Sequence, residues 1–315
     1  MGVEMSVGSG KRIVAVIAPQ RSGTSAITRG LQTLGVKLGD YYGKDFKDND
    51  NEKGYFEDLE ISNIDIAMLN SIGYTWDNPV LPEFDENTRE VLSAFYPIAA
   101  DIIKRRLEKW DIFGFKDPNF SKLLPFWQEV FKESGASNVS YIIACRNPLN
   151  VAASMQKRDG FDIIKGFYIW LCATMSSLIY TKGYNRIVVD YDELMKNPEK
   201  QLRRMAEQLS LKLDAGDVSF KEYKDSFLSD SLRHNNFSME DLEDGIIKRE
   251  IPPKILELYI LLRGITAGKV GIDDLEVSVK INKIYSWMRE LRSTLLYMQA
   301  QSDALYFLKK QINEK

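Results

Sequence analysis

Short apolar runs alternate with longer stretches of helical periodicity over the first two-thirds of the chain. Runs rich in β-forming residues lie at 13–17, 112–115, 139–144 and 186–189. Helical patterns begin at Thr24 and cover about 87–109, 123–133, 147–157, 163–182 and 192–209. Strands that alternate with helices predict an α/β fold in which helices flank a parallel sheet. Ligands of such sheets bind at the carboxyl ends of the strands, so the candidate site residues are those that follow each run.

The last part of the chain has a different pattern. Between residues 281 and 312, apolar side chains recur at spacings of three and four, with an interruption at Ser302. This pattern predicts a long amphipathic helix, either pairing as a coiled-coil homodimer over about four heptads or packing on its own domain. We therefore expect a disordered leader (1–11), an α/β domain (12–250) and a C-terminal helical extension (251–315).

Composition excludes several classes of function. The net charge of -3 disfavours a nucleic-acid partner, which needs a basic surface. The only cysteines are Cys145 and Cys172 and the only histidine is His234, so we expect two buried free thiols and no metal site. The uncharged stretch 167–180 is too short to span a bilayer and predicts a buried helix. Because no apolar signal peptide begins the chain, we expect a cytoplasmic protein.

The segment IAPQRSGTSAIT, at the end of the first strand, is typical of a phosphate-binding loop. Gly23 lets the backbone curl so that its N–H groups converge on an anion at the start of a helix. Ser22, Thr24 and Ser25 add hydroxyl groups, and Arg21 supplies a cation. Thr24 replaces the lysine that reaches a nucleoside triphosphate, so the loop predicts a different phosphate ligand. The alternative is a Ser/Gly-rich turn that only caps a helix.

A second candidate phosphate site lies in the segment YIIACRNPLNVAAS. Arg146 ends a strand, and Ser154 follows eight residues later in the next helix. An arginine fork and a hydroxyl in these positions can converge on one phosphate. The alternative is that Arg146 forms a surface ion pair and Ser154 only occupies a helix position.

Together these two motifs resemble the 5′-phosphosulfate loop and the 3′-phosphate signature of the sulfotransferases that use 3′-phosphoadenosine 5′-phosphosulfate (PAPS). The resemblance covers about residues 12–209. It implies a P-loop NTPase-like sulfotransferase fold, PAPS as sulfuryl donor and PAP as product. It further implies that the Arg21–Ser25 loop binds the phosphosulfate and that Arg146 and Ser154 bind the 3′-phosphate.

Other residues are assigned by the same resemblance. Lys116, in FGFKDPN, matches the lysine beside the bridging oxygen of the transferred sulfonate, but Pro118 occupies the position of the usual histidine base. Tyr191, in RIVVDYDEL, would lie near the adenine. Arg233, in SLRHNNF, would reach the 3′-phosphate.

The missing histidine leaves a carboxylate as the expected base. The segment NEKGYFEDLEI resembles a pattern of bacterial family members, and Glu57 is the first candidate. Asp58 is the second candidate and Asp117 the third. The alternative for Glu57 is that it only starts the next helix, where acidic residues are favoured.

The acceptor has a weaker signature. Tyr41, Tyr42, Phe56, Tyr74 and Trp76 lie in a long polar and aromatic region and would form either a platform for a sugar or ordinary core. From the resemblance we expect an acceptor with a free hydroxyl, carried by a carbohydrate or glycoconjugate. Two alternatives to a sulfotransferase remain: a P-loop kinase or NTPase, and a non-catalytic nucleotide-binding scaffold that associates through its C-terminal helix.

Overall fold

A computed structural model describes residues 10–39, 54–214, 216–228, 237–248 and 250–313. The first elements are β1 (Arg12–Ile17), α1 (Thr24–Gln32), β2 (Lys37–Leu38), α2 (Leu59–Ser71), α3 (Glu86–Ser93), α4 (Tyr96–Lys109), β3 (Ile112–Lys116), α5 (Leu124–Glu133), β4 (Asn138–Cys145) and α6 (Pro148–Asp159). The chain continues with α7 (Ile163–Tyr180), β5 (Asn185–Asp190), α8 (Tyr191–Lys196), α9 (Pro198–Gln208), α10 (Val218–Glu222), α11 (Met239–Ile247), α12 (Pro253–Thr266), α13 (Leu275–Glu290) and α14 (Arg292–Asn313).

The sheet has five parallel strands in the order β2-β3-β1-β4-β5. The predicted parallel sheet flanked by helices is confirmed, and all four predicted strands are present. Sequence periodicity missed β2, because two residues are too few to show an alternation. Val16 pairs with Lys116, and Cys145 pairs with Asp190. The residues that follow β1, β3, β4 and β5 therefore meet at one edge of the sheet.

The alternation of side chains along each strand divides the core into two layers. Ile13, Ala15 and Ile17 point to one face, where they join residues of α2, α4–α7, α12 and α13. Val14 and Val16 point to the other face and pack with residues of α1 and α9. The β1–α1 connection thus lies at the centre of the sheet, between the two layers of helices.

Two predicted helices are each broken by a proline. The range 87–109 contains α3 and α4, and Pro97 lies in the first turn of α4. The range 192–209 contains α8 and α9, separated by Asn197 with φ −136° and ψ 64°. A residue before proline is disfavoured in the helical region, which explains the second break. Proline is tolerated in a first turn, where its missing N–H would have no partner.

The predicted C-terminal helix is two helices, α13 and α14, which join at Leu291. Apolar residues of α13 are buried in the larger core: Val277, Ile281, Ile284 and Met288. The apolar side chains that recur along α13 therefore pack on its own domain. The later part of α14 exposes Leu305, Tyr306, Phe307 and Leu308. Pairing of α14 in a homodimer stays a prediction, and the predicted leader lies almost wholly outside the described residues.

The uncharged helix predicted from the sequence is α7. It is long and apolar enough to cross a membrane by composition alone, but 72% of it is buried within the protein. It packs in the larger core, as predicted for a buried helix. Cys145 and Cys172 are both buried and free, which confirms the expectation for the two thiols.

Candidate active site

The loop between β1 and α1 is tightly curled. Arg21 has φ 65° and Gly23 has φ 79°, both in the left-handed region. A Cβ atom on Gly23 would lie 2.0 Å from Tyr191 Cδ2, so this position has no room for a side chain. Tyr191 follows β5 and is 3% exposed. Its ring therefore packs beneath the loop and supports the loop's conformation.

Arg21 joins the two predicted phosphate motifs. Its Nε donates a hydrogen bond to Ser154 Oγ at 2.9 Å. Its backbone carbonyl accepts a hydrogen bond from Arg146 Nη1 at 2.9 Å. Arg146 also lies over the Tyr191 ring, with Cζ 4.8 Å from the ring centroid. The side chain and the backbone of Arg21 thus connect the β1 loop to α6 and to the end of β4.

The Ser22 hydroxyl is buried, and Oγ has no hydrogen-bond partner within the described part of the chain. A buried hydroxyl without a partner costs free energy, so its position fits a bound oxygen atom. Ser25 Oγ donates to the carbonyl oxygen of Tyr55 at 3.2 Å. Thr24 begins α1 and is buried. The predicted contacts of these hydroxyl groups with a phosphate stay predictions.

Lys116 and Glu57 form an ion pair at the same edge of the sheet. Lys116 ends β3 and is 3% exposed, and its Nζ lies 2.5 Å from Glu57 Oε1. The same ammonium group donates to the Tyr55 carbonyl oxygen at 3.1 Å. The Glu57 side chain keeps 21% of its surface exposed. A buried cation is therefore paired with a carboxylate that solvent still reaches.

Asp58, the second candidate base, has a different environment. Its side chain caps α2 by accepting from the N–H groups of Glu60 and Ile61. Arg106 binds both its oxygens, with Nε 2.8 Å from Oδ2 and Nη2 3.1 Å from Oδ1. Both side chains of this pair are buried. The position of Asp58 is thus explained by helix capping and ion pairing.

Asp117, the third candidate, is also buried. Its Oδ1 accepts from the N–H groups of Asn119 at 2.6 Å and Phe120 at 3.3 Å. Burial, followed by the nearby Glu57 carboxylate, raises the pKa of Asp117 to about 6. Burial disfavours the charged form, and so does a like charge. Asp117 therefore lies behind the Lys116–Glu57 pair, away from solvent.

Among the predicted aromatic residues, Trp76 has the clearest connection to the loop. Arg158 Cζ lies 5.1 Å from the Trp76 ring centroid, and Arg158 Nη2 donates to Gln20 Oε1 at 2.7 Å. Tyr74 instead accepts a hydrogen bond from Arg292 of α14 at 2.9 Å. Phe56 is buried and packs on Phe227. Tyr41 and Tyr42 lie outside the described residues, as do Arg233 and His234.

Two buried lysines that the sequence reasoning missed hold the segment around Trp76. Lys122 donates to the carbonyl oxygens of Thr75, Trp76 and Asn78, at 3.1, 2.9 and 2.6 Å. Lys165 of α7 pairs with Asp77 and donates to Ser302 of α14 at 3.0 Å. No local sequence signal marks these lysines, because each contact joins residues far apart in the chain.

No protein-family model matches the sequence, and no curated protein matches it. The structure is similar to the sulfotransferase domain from the Synechococcus olefin synthase, with a TM-score of 0.44, 16% identity, and coverage of 78% of this chain and 96% of that domain. It is also similar to the sulfotransferase domain from the curacin biosynthetic pathway, with a TM-score of 0.41, 12% identity, and coverage of 78% and 100%. Likeness at this level does not assign a function.

Proposed function

We propose that this protein is a PAPS-dependent sulfotransferase that acts on an acceptor hydroxyl. One observation carries the proposal: Arg21 of the β1 loop is hydrogen-bonded to Ser154 of α6. These residues belong to the two motifs that resemble the 5′-phosphosulfate loop and the 3′-phosphate signature. Their contact supports a single ligand that carries anionic groups at both ends of one nucleotide.

The residues of the loop fit such a donor. The buried Ser22 hydroxyl has no hydrogen-bond partner within the described residues, and the Tyr191 ring packs against Gly23 and supports the curled backbone of the loop. Arg21 and Arg146 supply positive charge, and the start of α1 directs N–H groups towards the loop. Residues Arg21–Ser25 would hold the phosphosulfate, and Arg146 and Ser154 the 3′-phosphate. When bound, PAPS supplies a sulfuryl group attached to a phosphate leaving group.

Lys116 and Glu57 take the roles of electrostatic stabiliser and base. Lys116 is a buried cation, so its charge acts in a medium of low dielectric constant. Glu57 Oε2 or Oε1 would accept the proton of the acceptor hydroxyl. Its partial exposure supports this role, because an acceptor must reach it from solvent.

A carbohydrate or glycoconjugate is our proposed acceptor class. Trp76 supports it, because its half-buried ring is linked through Arg158 and Gln20 to the β1 loop. An aromatic ring in this position offers a flat apolar surface to one face of a sugar. A screen of hydroxyl acceptors with and without sugar rings tests this class.

Thermal melting with three ligands tests the donor site: PAP, 5′-AMP, and ATP with magnesium. A ligand at 100 times its Kd stabilises the folded protein by about 2.7 kcal/mol. We expect a large rise in the melting temperature with PAP and a small one with 5′-AMP. A rise with ATP and magnesium alone would contradict the proposal and indicate a kinase or NTPase. Binding of PAP without turnover of any acceptor would indicate the non-catalytic scaffold.

A further inference from the structure

The segment 74–83 lies between α2 and α3 and forms neither helix nor strand. Because such a segment has no ladder of backbone hydrogen bonds, its shape depends on contacts with the rest of the chain. It carries Trp76, whose ring is linked to the β1 loop through Arg158 and Gln20. The contacts that hold this segment therefore determine where the Trp76 ring lies beside the candidate active site.

Arg292, at the start of α14, holds both ends of the segment. Its Nη2 donates to the Tyr74 hydroxyl at 2.9 Å, and its Nη1 donates to the Leu81 carbonyl oxygen at 2.8 Å. Its Nε lies 3.5 Å from Glu83 Oε1. A guanidinium group is planar and presents its donors in fixed directions, so this one side chain fixes the two ends of the segment relative to each other.

Lys165 of α7 holds the middle of the segment. It is 2% exposed and pairs with Asp77, the residue after Trp76. The same ammonium group donates to Ser302 Oγ of α14 at 3.0 Å and lies 5.0 Å from the centroid of the Phe161 ring. The Phe161 and Trp76 ring centroids are 6.0 Å apart. A buried cation keeps its carboxylate partner in place, because an unpaired charge in the interior is costly.

Gln299 of α14 makes a further contact with Asp77. Gln299 is 6% exposed, and its Nε2 donates to Asp303 Oδ1 at 2.9 Å and to Asp77 Oδ2 at 3.4 Å. Spacings of seven and three residues place Arg292, Gln299 and Ser302 on one face of the helix. The first half of α14 therefore lies along the segment that carries Trp76.

We propose that Arg292 and Lys165 are positioning residues for the acceptor, which hold the segment 74–83 against α14 so that the Trp76 ring lies where the acceptor binds. This inference rests on the proposed function, since Trp76 meets an acceptor only if the protein transfers a group to one. The C-terminal extension is then part of the acceptor site. The donor loop is held by Arg146 and Tyr191, so a looser segment affects acceptor binding more than PAP binding.

Three variants release different contacts of the segment. Arg292→Met removes the guanidinium group and keeps the aliphatic part of the side chain. Lys165→Met removes the ammonium group that joins Asp77 to α14. Tyr74→Phe is milder, because it removes one hydroxyl and no charge, and it provides the test if either methionine variant does not fold. The matched control is Ser293→Ala, at an exposed position of α14.

Amide hydrogen exchange, followed by mass spectrometry, tests whether these residues hold the segment. Arg292→Met and Lys165→Met should speed exchange within residues 74–83 by about fivefold or more, because local opening exposes the N–H groups. Tyr74→Phe should have a smaller effect and add nothing in the Arg292→Met background, where its bond is already lost. Ser293→Ala should exchange as the wild type does. Wild-type exchange of the segment in all three variants overturns the positioning role.

Steady-state turnover with PAPS tests the acceptor role, with p-nitrophenyl glycosides and simple alcohols as acceptors. Arg292→Met should raise the KM of the acceptor roughly tenfold. The kcat and the Kd for PAP should stay close to wild type, because the change removes binding that the ground state and the transition state share. An unchanged KM in a variant whose segment exchanges faster overturns the acceptor role.

A failure of the proposed function gives a different result. If PAP does not shift the melting temperature, or if no acceptor is sulfated, the proposed function is wrong and the acceptor role falls with it. The exchange rates of residues 74–83 still decide whether Arg292 and Lys165 hold the segment, because that measurement needs neither donor nor acceptor.

Discussion

Arg21 Nε donates a hydrogen bond to Ser154 Oγ at 2.9 Å, across 133 positions of the sequence. Arg146 holds the carbonyl oxygen of the same arginine. The β1 loop and α6 are therefore coupled, since a change at one alters the arrangement of the other.

Ser154→Ala should weaken PAP binding by about 1–2 kcal/mol, or roughly 5–30-fold in Kd. The substitution removes a hydroxyl from the proposed 3′-phosphate site and releases the Arg21 side chain. Isothermal titration with PAP measures the effect. The control is Ser134→Ala, because Ser134 ends α5, far from the loop, and its hydroxyl donates to the backbone carbonyl of Phe131 in the same helix. Equal affinity in both variants would mean that the 3′-phosphate lies elsewhere.

Glu57→Gln should lower kcat by about 10²–10⁴-fold while PAP still binds, because the amide keeps the shape of the side chain but accepts no proton. Lys116→Met should lower kcat by roughly 10²–10³-fold, because it removes a preorganised charge. Steady-state assays with an identified acceptor measure both. Glu60→Gln is the matched control, since Glu60 pairs with Arg105 and Arg106 and not with Lys116. Full turnover in Glu57→Gln would exclude Glu57 as the base.

Gly23→Ala should destabilise the fold and abolish PAP binding. The left-handed backbone strains any other residue by about 1–2 kcal/mol, and the new Cβ would lie 2.0 Å from Tyr191 Cδ2. Gly35→Ala is the control that separates backbone strain from the steric clash with Tyr191. Gly35 also has a left-handed backbone, with φ 81°, but no atom lies within 4 Å of an added Cβ. Gly35→Ala should show the strain alone and bind PAP normally. Thermal melting and titration of both variants measure these effects, and normal binding by Gly23→Ala would contradict the described loop.

Arg106→Ala should cost about 3–5 kcal/mol of unfolding free energy, because it leaves the buried Asp58 carboxylate without its partner. Arg105→Ala removes a neighbouring arginine whose ion pairs with Glu60 and Asp101 are exposed. That variant should change the unfolding free energy by less than about 1 kcal/mol. Denaturant titration compares the two. Similar losses for both would show that burial of the Asp58 pair does not decide its contribution.

The sequence was sufficient for the strands and the loop because their signals are local. The run at 13–17 and the glycine at position 23 each act within a few residues of the chain. The two broken helices show where local periodicity fails: the apolar spacing continues through Pro97 and Pro198, although the backbone does not. The C-terminal pattern likewise continues through Leu291, where α13 ends.

The candidate site also has features that local sequence determines and features that depend on tertiary contacts. The sequence by itself determined which residues follow the strands, and the parallel sheet then brings Arg21, Lys116 and Arg146 to one edge. Only the tertiary structure decided which carboxylate meets Lys116 and which one is neutralised by Arg106. The reason is physical: residue type sets the chemistry that a side chain can perform, but its charge state and partners depend on burial and on groups distant in the chain.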